Sequence, residues 1–196
     1  GNTYAGWAIS GGGGMLSTTN VARQCVVSNN SSLFDGGGLA GSVNGSYAPL
    51  VDDCDVVNNS ARDGGGLFYV TATNCRVWRN SATNANWQGG GGGKHANLID
   101  CSVVSNSTTK AGGGVYRSPG SRGTIFAHNT AGTAGGGGYA LYGTNLTVRD
   151  NVAATTGGGM RGGLAASSTI ERNVANGLGG GGADNDTKLV RPGASP

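Results

Sequence analysis

Four cysteines, Cys25, Cys54, Cys75 and Cys101, are the most reactive side chains in this 196-residue chain. Thiols pair into disulfides, ligate metals or attack electrophiles. No CxxC or Cys/His spacing accompanies them, so zinc is not implied. A second set, Arg76, Arg79, His128, Arg149, Asp150, Glu171 and Arg172, could do acid–base work if paired carboxylates met across a sugar. Asp150 and Arg172 fall on neighbouring units, but no second carboxylate faces Asp150, and an exposed ion pair needs no function. No catalytic residue is therefore assigned. The chain is read as a non-enzyme, with a polysaccharide lyase or glycosidase as the alternative.

The cysteines share a frame. Five residues after them stand Asn30, Asn59, Asn80 and Asn106, and the same asparagine returns at Asn129, Asn151 and Asn173. The unit is about 24 residues long on average. Where later units lack cysteine, Thr124, Leu146 and Ser168 take its place. Three before each anchor comes Val27, Val56, Val77, Val103, Phe126, Val148 or Ile170. Two after it the residue is always small, as at Ser32, Ala61 and Thr108. A glycine run then closes the unit, in "GGGL" ending at Leu39 and Leu67, "GGGV" at Val115 and "GGGM" at Met160.

Alternation fixes the element type. Residues two apart on a strand share a face, so the positions five and three before the anchor line one small or apolar side. Interior glycines cost a helix about 1 kcal/mol each relative to alanine, which excludes an unbroken helix. Short strands with tight turns, repeating at this length, describe an all-β parallel β-helix, a solenoid of about seven to eight coils. Its stacked coils would form a rod roughly 35–40 Å long at ~4.8 Å per coil. Right-handedness is expected from the usual chirality of parallel crossovers. The Cys/Val positions become inward ladders and the asparagines a corner ladder, their amides bonding turn backbone and the next amide. The glycines turn the chain where φ is positive or a coil lies too close for a Cβ. Straight stacking puts cysteine Cβ atoms about 4.8 Å apart, beyond the ~3.8 Å of a disulfide, so free apolar thiols are expected. Bridges formed by local shifts are the alternative.

Composition narrows the function. There are 41 Gly and 4 Pro, which without a repeat would read as disorder. Charged residues are 12% and the net charge is +3, with no basic run and no basic–aromatic patch, so nucleic acid is not expected. No apolar stretch approaches the ~20 residues of a membrane span. The chain opens at Gly1 without a signal sequence and reads as a mature product or a fragment, residues 1–196 forming a single domain.

The alternation of "GGG" plus an apolar residue with "VxxN" resembles the right-handed parallel β-helix repeat proteins of bacteria. It is most similar to polymorphic outer-membrane and autotransporter passengers, whose repeats read GGA plus an aliphatic and FxxN. The resemblance covers about residues 10–190, with Gly where that family has Ala and usually Val where it has Phe. It implies an extracellular or surface-displayed rod and no particular activity.

Two segments exceed the usual spacing and should bulge: 39–53, with Tyr47, and 81–93, with Trp87. Either aromatic could stack on a sugar of a surface glycan, although tucking against the rod is the plainer reading. Asp52, Asp53 and Asp55 could collect a cation, but a solvated acidic turn is expected. "GGGGADND" at 179–186 is similar to a calcium nonapeptide, yet occurs once, with Asp186 at an apolar place; no cofactor is assigned. His95 is read as structural. Val26, Val57, Trp78, Val104 and Ile125 would form one outward apolar stripe, a surface for lateral contact. The ends, with Asn2 lacking a strand and Pro192 closing the last one before a tail at 192–196, suggest open edges, read either as a piece cut from a longer rod or as end-to-end self-association. The function expected is a surface rod or self-stacking filament subunit with adhesive use, the alternative a carbohydrate-binding or carbohydrate-cleaving β-helix.

Overall fold

A computed structural model describes residues 3–4, 13, 15–16, 21–41, 48–83, 88–184 and 187–190. Every strand pairing in it is parallel, and among the described residues there is no helix. Three sheets run the length of a β-solenoid. The anchor sheet stacks Val26–Ser28, Asp55–Val57, Arg76–Trp78, Ser102–Val104, Ile125–Ala127, Thr147–Arg149 and Thr169–Glu171. Seven strands one coil apart span about six full turns, somewhat fewer than the seven to eight coils expected. A second sheet holds the small residues after each anchor, such as Ser60–Ala61 and Ser81–Ala82. The third follows the glycine runs. In early coils it is built of two short strands, Leu67–Phe68 and Thr71–Thr73 for instance. In later coils these merge into Val115–Arg122, Gly138–Thr144 and Met160–Ala166.

Like stacks on like. Val56, Val77, Val103, Phe126 and Val148 pair in register and are at most 1% exposed. They meet Leu67, Leu98, Val115, Leu141 and Met160 of the third sheet in one core. Burying such a column is the main force holding successive coils together, at about 1.5–3 kcal/mol per large aliphatic side chain.

The glycine runs act as read from sequence, with a separate reason at each place. Gly64 has φ 60°, a left-handed turn. Its neighbour Gly65 has no room for a Cβ, which would lie 2.3 Å from the Ser81 carbonyl oxygen. The sequence did not reveal that non-glycine residues make the other corners. The residue before each anchor, including Arg79, His128, Asp150 and Arg172, has φ of 51–56°. Such residues seldom choose this conformation. Inter-coil bonds impose it here: Arg79 N–H donates to Val104 O at 3.2 Å and His128 N–H to Arg149 O at 3.3 Å.

Both ends of the two long segments lie in paired strands. Leu39–Ala40, Leu50–Asp52, Ser81–Ala82 and Gly93 all sit in paired strands. Only residues 42–47 and 84–87 of those segments lie outside the described chain, and Tyr47 and Trp87 are among them.

Candidate functional site

The seven anchor asparagines form one column. From Asn59 on, each side-chain oxygen accepts from the backbone N–H and the side-chain amide of the asparagine one coil before it, as Asn106 does from Asn80 at 2.9 and 3.1 Å. Each amide from Asn59 on also donates to the carbonyl of the inward residue of the preceding coil, Asn106 to Val77 O at 2.9 Å. The pattern runs from Asn30 through Asn59, Asn80, Asn106, Asn129 and Asn151 to Asn173, at separations of 29, 21, 26, 23, 22 and 22 residues. Asn59 to Asn151 are at most 1% exposed, so these amides serve structure and offer nothing to a ligand.

The cysteine column is an inward ladder as expected, with Cys54, Cys75 and Cys101 in the hydrophobic core, and its thiols are hydrogen-bonded as well. Cys54 Sγ donates to Asp52 O at 3.2 Å and accepts from Cys25 N–H at 3.4 Å. Cys75 and Cys101 do the same one and two coils on. Thr124 and Ser168 substitute hydroxyls in the same geometry, each accepting the backbone N–H of the coil before, at 3.3 and 3.0 Å. Leu146 alone in the column has no such atom. Every other member of the column is a small side chain able both to donate and to accept. All four thiols are free; Cys25 is exposed and the other three are buried. Burial pushes the Cys54 thiol up; contact with Cys101, then burial, does so for Cys75. Thiol labelling of the native protein should modify Cys25 quickly and leave three sites protected until denaturation. Fast modification of two or more would contradict this packing.

On the outer face of the anchor sheet the charges are already matched. Arg172 grips Asp150 with two bonds of 2.8 and 3.1 Å, Arg149 adds a third at 2.8 Å, and His128 Nε2 stands 4.0 Å away. Arg172 and Arg149 hold the Asp150 carboxyl well below the usual carboxylate range. Glu171 bonds Arg172 at 2.7 Å. A carboxylate so held is a poor proton shuttle near neutrality. The three aspartates near the first long segment are divided among partners: Asp52 with Arg23 at 3.6 Å, Asp53 with Gln24 at 3.4 Å, Asp55 with Arg76 at 2.9 Å. Among the described residues no group of three or more His, Cys, Asp or Glu could hold a metal ion. Asp186 of the glycine–aspartate motif lies outside them, and Asp184 pairs with Arg161 at 3.3 Å.

The expected apolar stripe divides between two rows, with Val57, Trp78 and Val104 in one and Val26 and Ile125 in the other. Val57, Trp78, Val104 and Ala127 are one row; Val26, Asp55, Arg76, Ser102 and Ile125 are another. A three-residue strand exposes its first and third positions, and these are separate columns. Val57 is 7% exposed. Trp78 is flanked by guanidinium groups, Arg76 at 4.9 Å and Arg79 at 4.7 Å from its ring.

The third sheet carries a feature that sequence reading missed. Phe68, Lys94, Tyr116, Tyr139 and Arg161 occupy one row. The Tyr116 and Tyr139 rings stack at 5.1 Å and 7°, beside a groove of about 530 Å³ lined by Ala111, Thr133, Ala134 and Arg161. Stacking covers one face of each ring, and the tyrosines line the groove together with Thr155 and Thr156. At the other end of the row, Lys94 Nζ lies 2.9 Å from Asp63, also donates to Gln88 Oε1, and stands 5.6 Å from the Phe68 ring centre. Asp35, one coil before Asp63, pairs with Arg62 at 3.2 Å. Burial pushes the Asp35 carboxyl up, against the pull of Lys94 and Arg62. The signal available in the sequence was "DGGGL", which occurs twice, at 35–39 and 63–67. Next to Lys94, His95 stacks on Tyr69 at 4.4 Å and is pushed down to about 4 by burial.

Among the described residues no helix is long and apolar enough to cross a membrane. No protein-family model, curated protein or solved structure matches the chain, and its placement therefore rests on its own architecture, a parallel β-solenoid.

Proposed function

We propose that the chain is a structural element, a stiff β-solenoid segment of an extracellular or cell-surface rod that acts as a spacer and contact surface. One observation carries this reading: the recurring residues are consumed by bonding between coils. The asparagine amides, most of the thiols and hydroxyls of the cysteine column, and the glycine runs all serve stacking. On the outer face of the anchor sheet Asp150 is held between Arg149 and Arg172, which makes it a poor proton shuttle. A Ser-, Thr- and Asn-rich surface with 12% charged residues suits an exposed rod.

A second reading, glycan binding, is favoured by the Tyr116–Tyr139 groove, whose hydroxyl and guanidinium groups could bond sugar hydroxyls. One set of measurements separates the two. The rod reading expects assemblies of the purified chain in negative stain and sedimentation, and no reducing ends released from a polysaccharide panel. Saturable oligosaccharide binding that Tyr139→Ala abolishes, without assembly, would replace it with the second reading.

A further inference from the structure

Lys94 and Asp63 are an ion pair that the rod hides from water, their side chains 9% and 3% exposed. A buried pair of this kind gives little net stability over apolar packing, so its placement asks for another reason. Three features surround it. Asp35, 5% exposed, bridges Asp63 through the backbone of the neighbouring coil, and the charges of Lys94 and Asp63 both act on its carboxyl. The Phe68 ring lies under the ammonium. The Gln88 carboxamide oxygen accepts a hydrogen bond from the ammonium. An amine and a carboxyl in contact, with a second carboxylate beside them and little water, are the components of a condensation.

We propose that Lys94 and Asp63 join in an intramolecular isopeptide bond, with Asp35 carrying the proton. In the dry site the ammonium passes one proton to the Asp63 carboxylate, giving a neutral amine and acid. Nζ then bonds Asp63 Cγ. A second Nζ proton moves to Asp35, which returns it to the Asp63 hydroxyl; the Cγ–O bond breaks and water leaves. The third proton stays on the amide. Ammonium plus carboxylate becomes amide plus water, and Asp35 ends as it began, beside Arg62. The raised affinity of Asp35 for protons suits it to this relay. The bond ties positions 31 residues apart in neighbouring coils, so that one coil cannot peel from the next. It stands independently of what the rod displays.

Denaturing intact-mass spectrometry of the full purified chain tests it. The expected mass is 18 Da below the sequence mass, and the expected tryptic map contains a branched peptide. In that branch 63–76 is joined to 80–110, uncut after Lys94 because its amine is acylated. Asp35→Asn should restore the full mass while the chain keeps its β-sheet circular dichroism. The full mass in the unsubstituted protein would overturn the proposal. So would an 18 Da loss carried on a linear 63–76 peptide, which marks a backbone imide at Asp63–Gly64. A 17 Da loss carried on 80–110 alone, closed into a loop between Lys94 and Gln88, would equally overturn Asp63 as the acceptor.

Discussion

Asn106→Ala should be the most damaging single truncation in the ladder, lowering stability by about 4 kcal/mol. The carboxamide accepts from both the backbone N–H and the side-chain amide of Asn80. Its own amide donates to Val77 O and to Asn129 Oδ1 at 3.0 Å. All these groups are buried, Asn80 and Asn129 being 0% exposed. Alanine leaves two donors on Asn80 without an acceptor and no water to replace it. Each orphaned buried group costs about 1–3 kcal/mol, and a domain has only about 5–15 to lose. Asn173→Ala, at a partly exposed rung, should cost clearly less, because solvent can satisfy what it leaves. Urea unfolding of the two variants measures the contrast. Equal midpoints would mean that the column is not a continuous bonded stack.

Gly65→Ala should cost about 3 kcal/mol or prevent folding, while Gly120→Ala should stay within about 0.5 kcal/mol of the parent. A Cβ on Gly65 would sit 2.3 Å from Ser81 O and 2.5 Å from Gly91 O. Both obstacles are backbone atoms of the next coil, so no side chain can turn aside. Relief would require the coils to separate, which stretches the bonds on both sides of the run, such as Gly65 N–H to Gly90 O at 3.1 Å. On Gly120 the same atom meets nothing closer than Asn97 Oδ1, 3.6 Å away. Thermal melts of the two alanine variants decide it. A Gly65→Ala protein melting with the parent would show that the coils are looser than this packing requires.

The two substitutions mark the part of the molecule that was legible in its sequence. Asn106 and Gly65 stand out because the repeat places an equivalent in nearly every unit. In a solenoid, linear period translates directly into vertical neighbourhood, so a recurring Val–x–x–Asn becomes a column. The Val56–Val77–Val103 core and the three sheets follow from that. Where the equivalent residues differ, the translation is incomplete. The period did not show that the Cys54 thiol is hydrogen-bonded as well, because small apolar and small polar side chains look alike at that place until Thr124 and Ser168 are seen to bond alike. Nor did it separate Val26 and Ile125 from Trp78, since both rows face outward and only strand register distinguishes them.

The coil, its period and its inward columns could be read from the residues alone, because each rests on one residue type repeated at one place. What the unrepeated residues do became visible only in the folded coils. Lys94 reaches back one coil to Asp63, and Arg62 to Asp35, only because the corners before the glycine runs fold beside the row that begins at Phe68. Likewise Arg79 and His128 hold left-handed corners that their own preferences disfavour. The physical reason is the same in both cases: bonds between coils outweigh the local tendencies of a single residue.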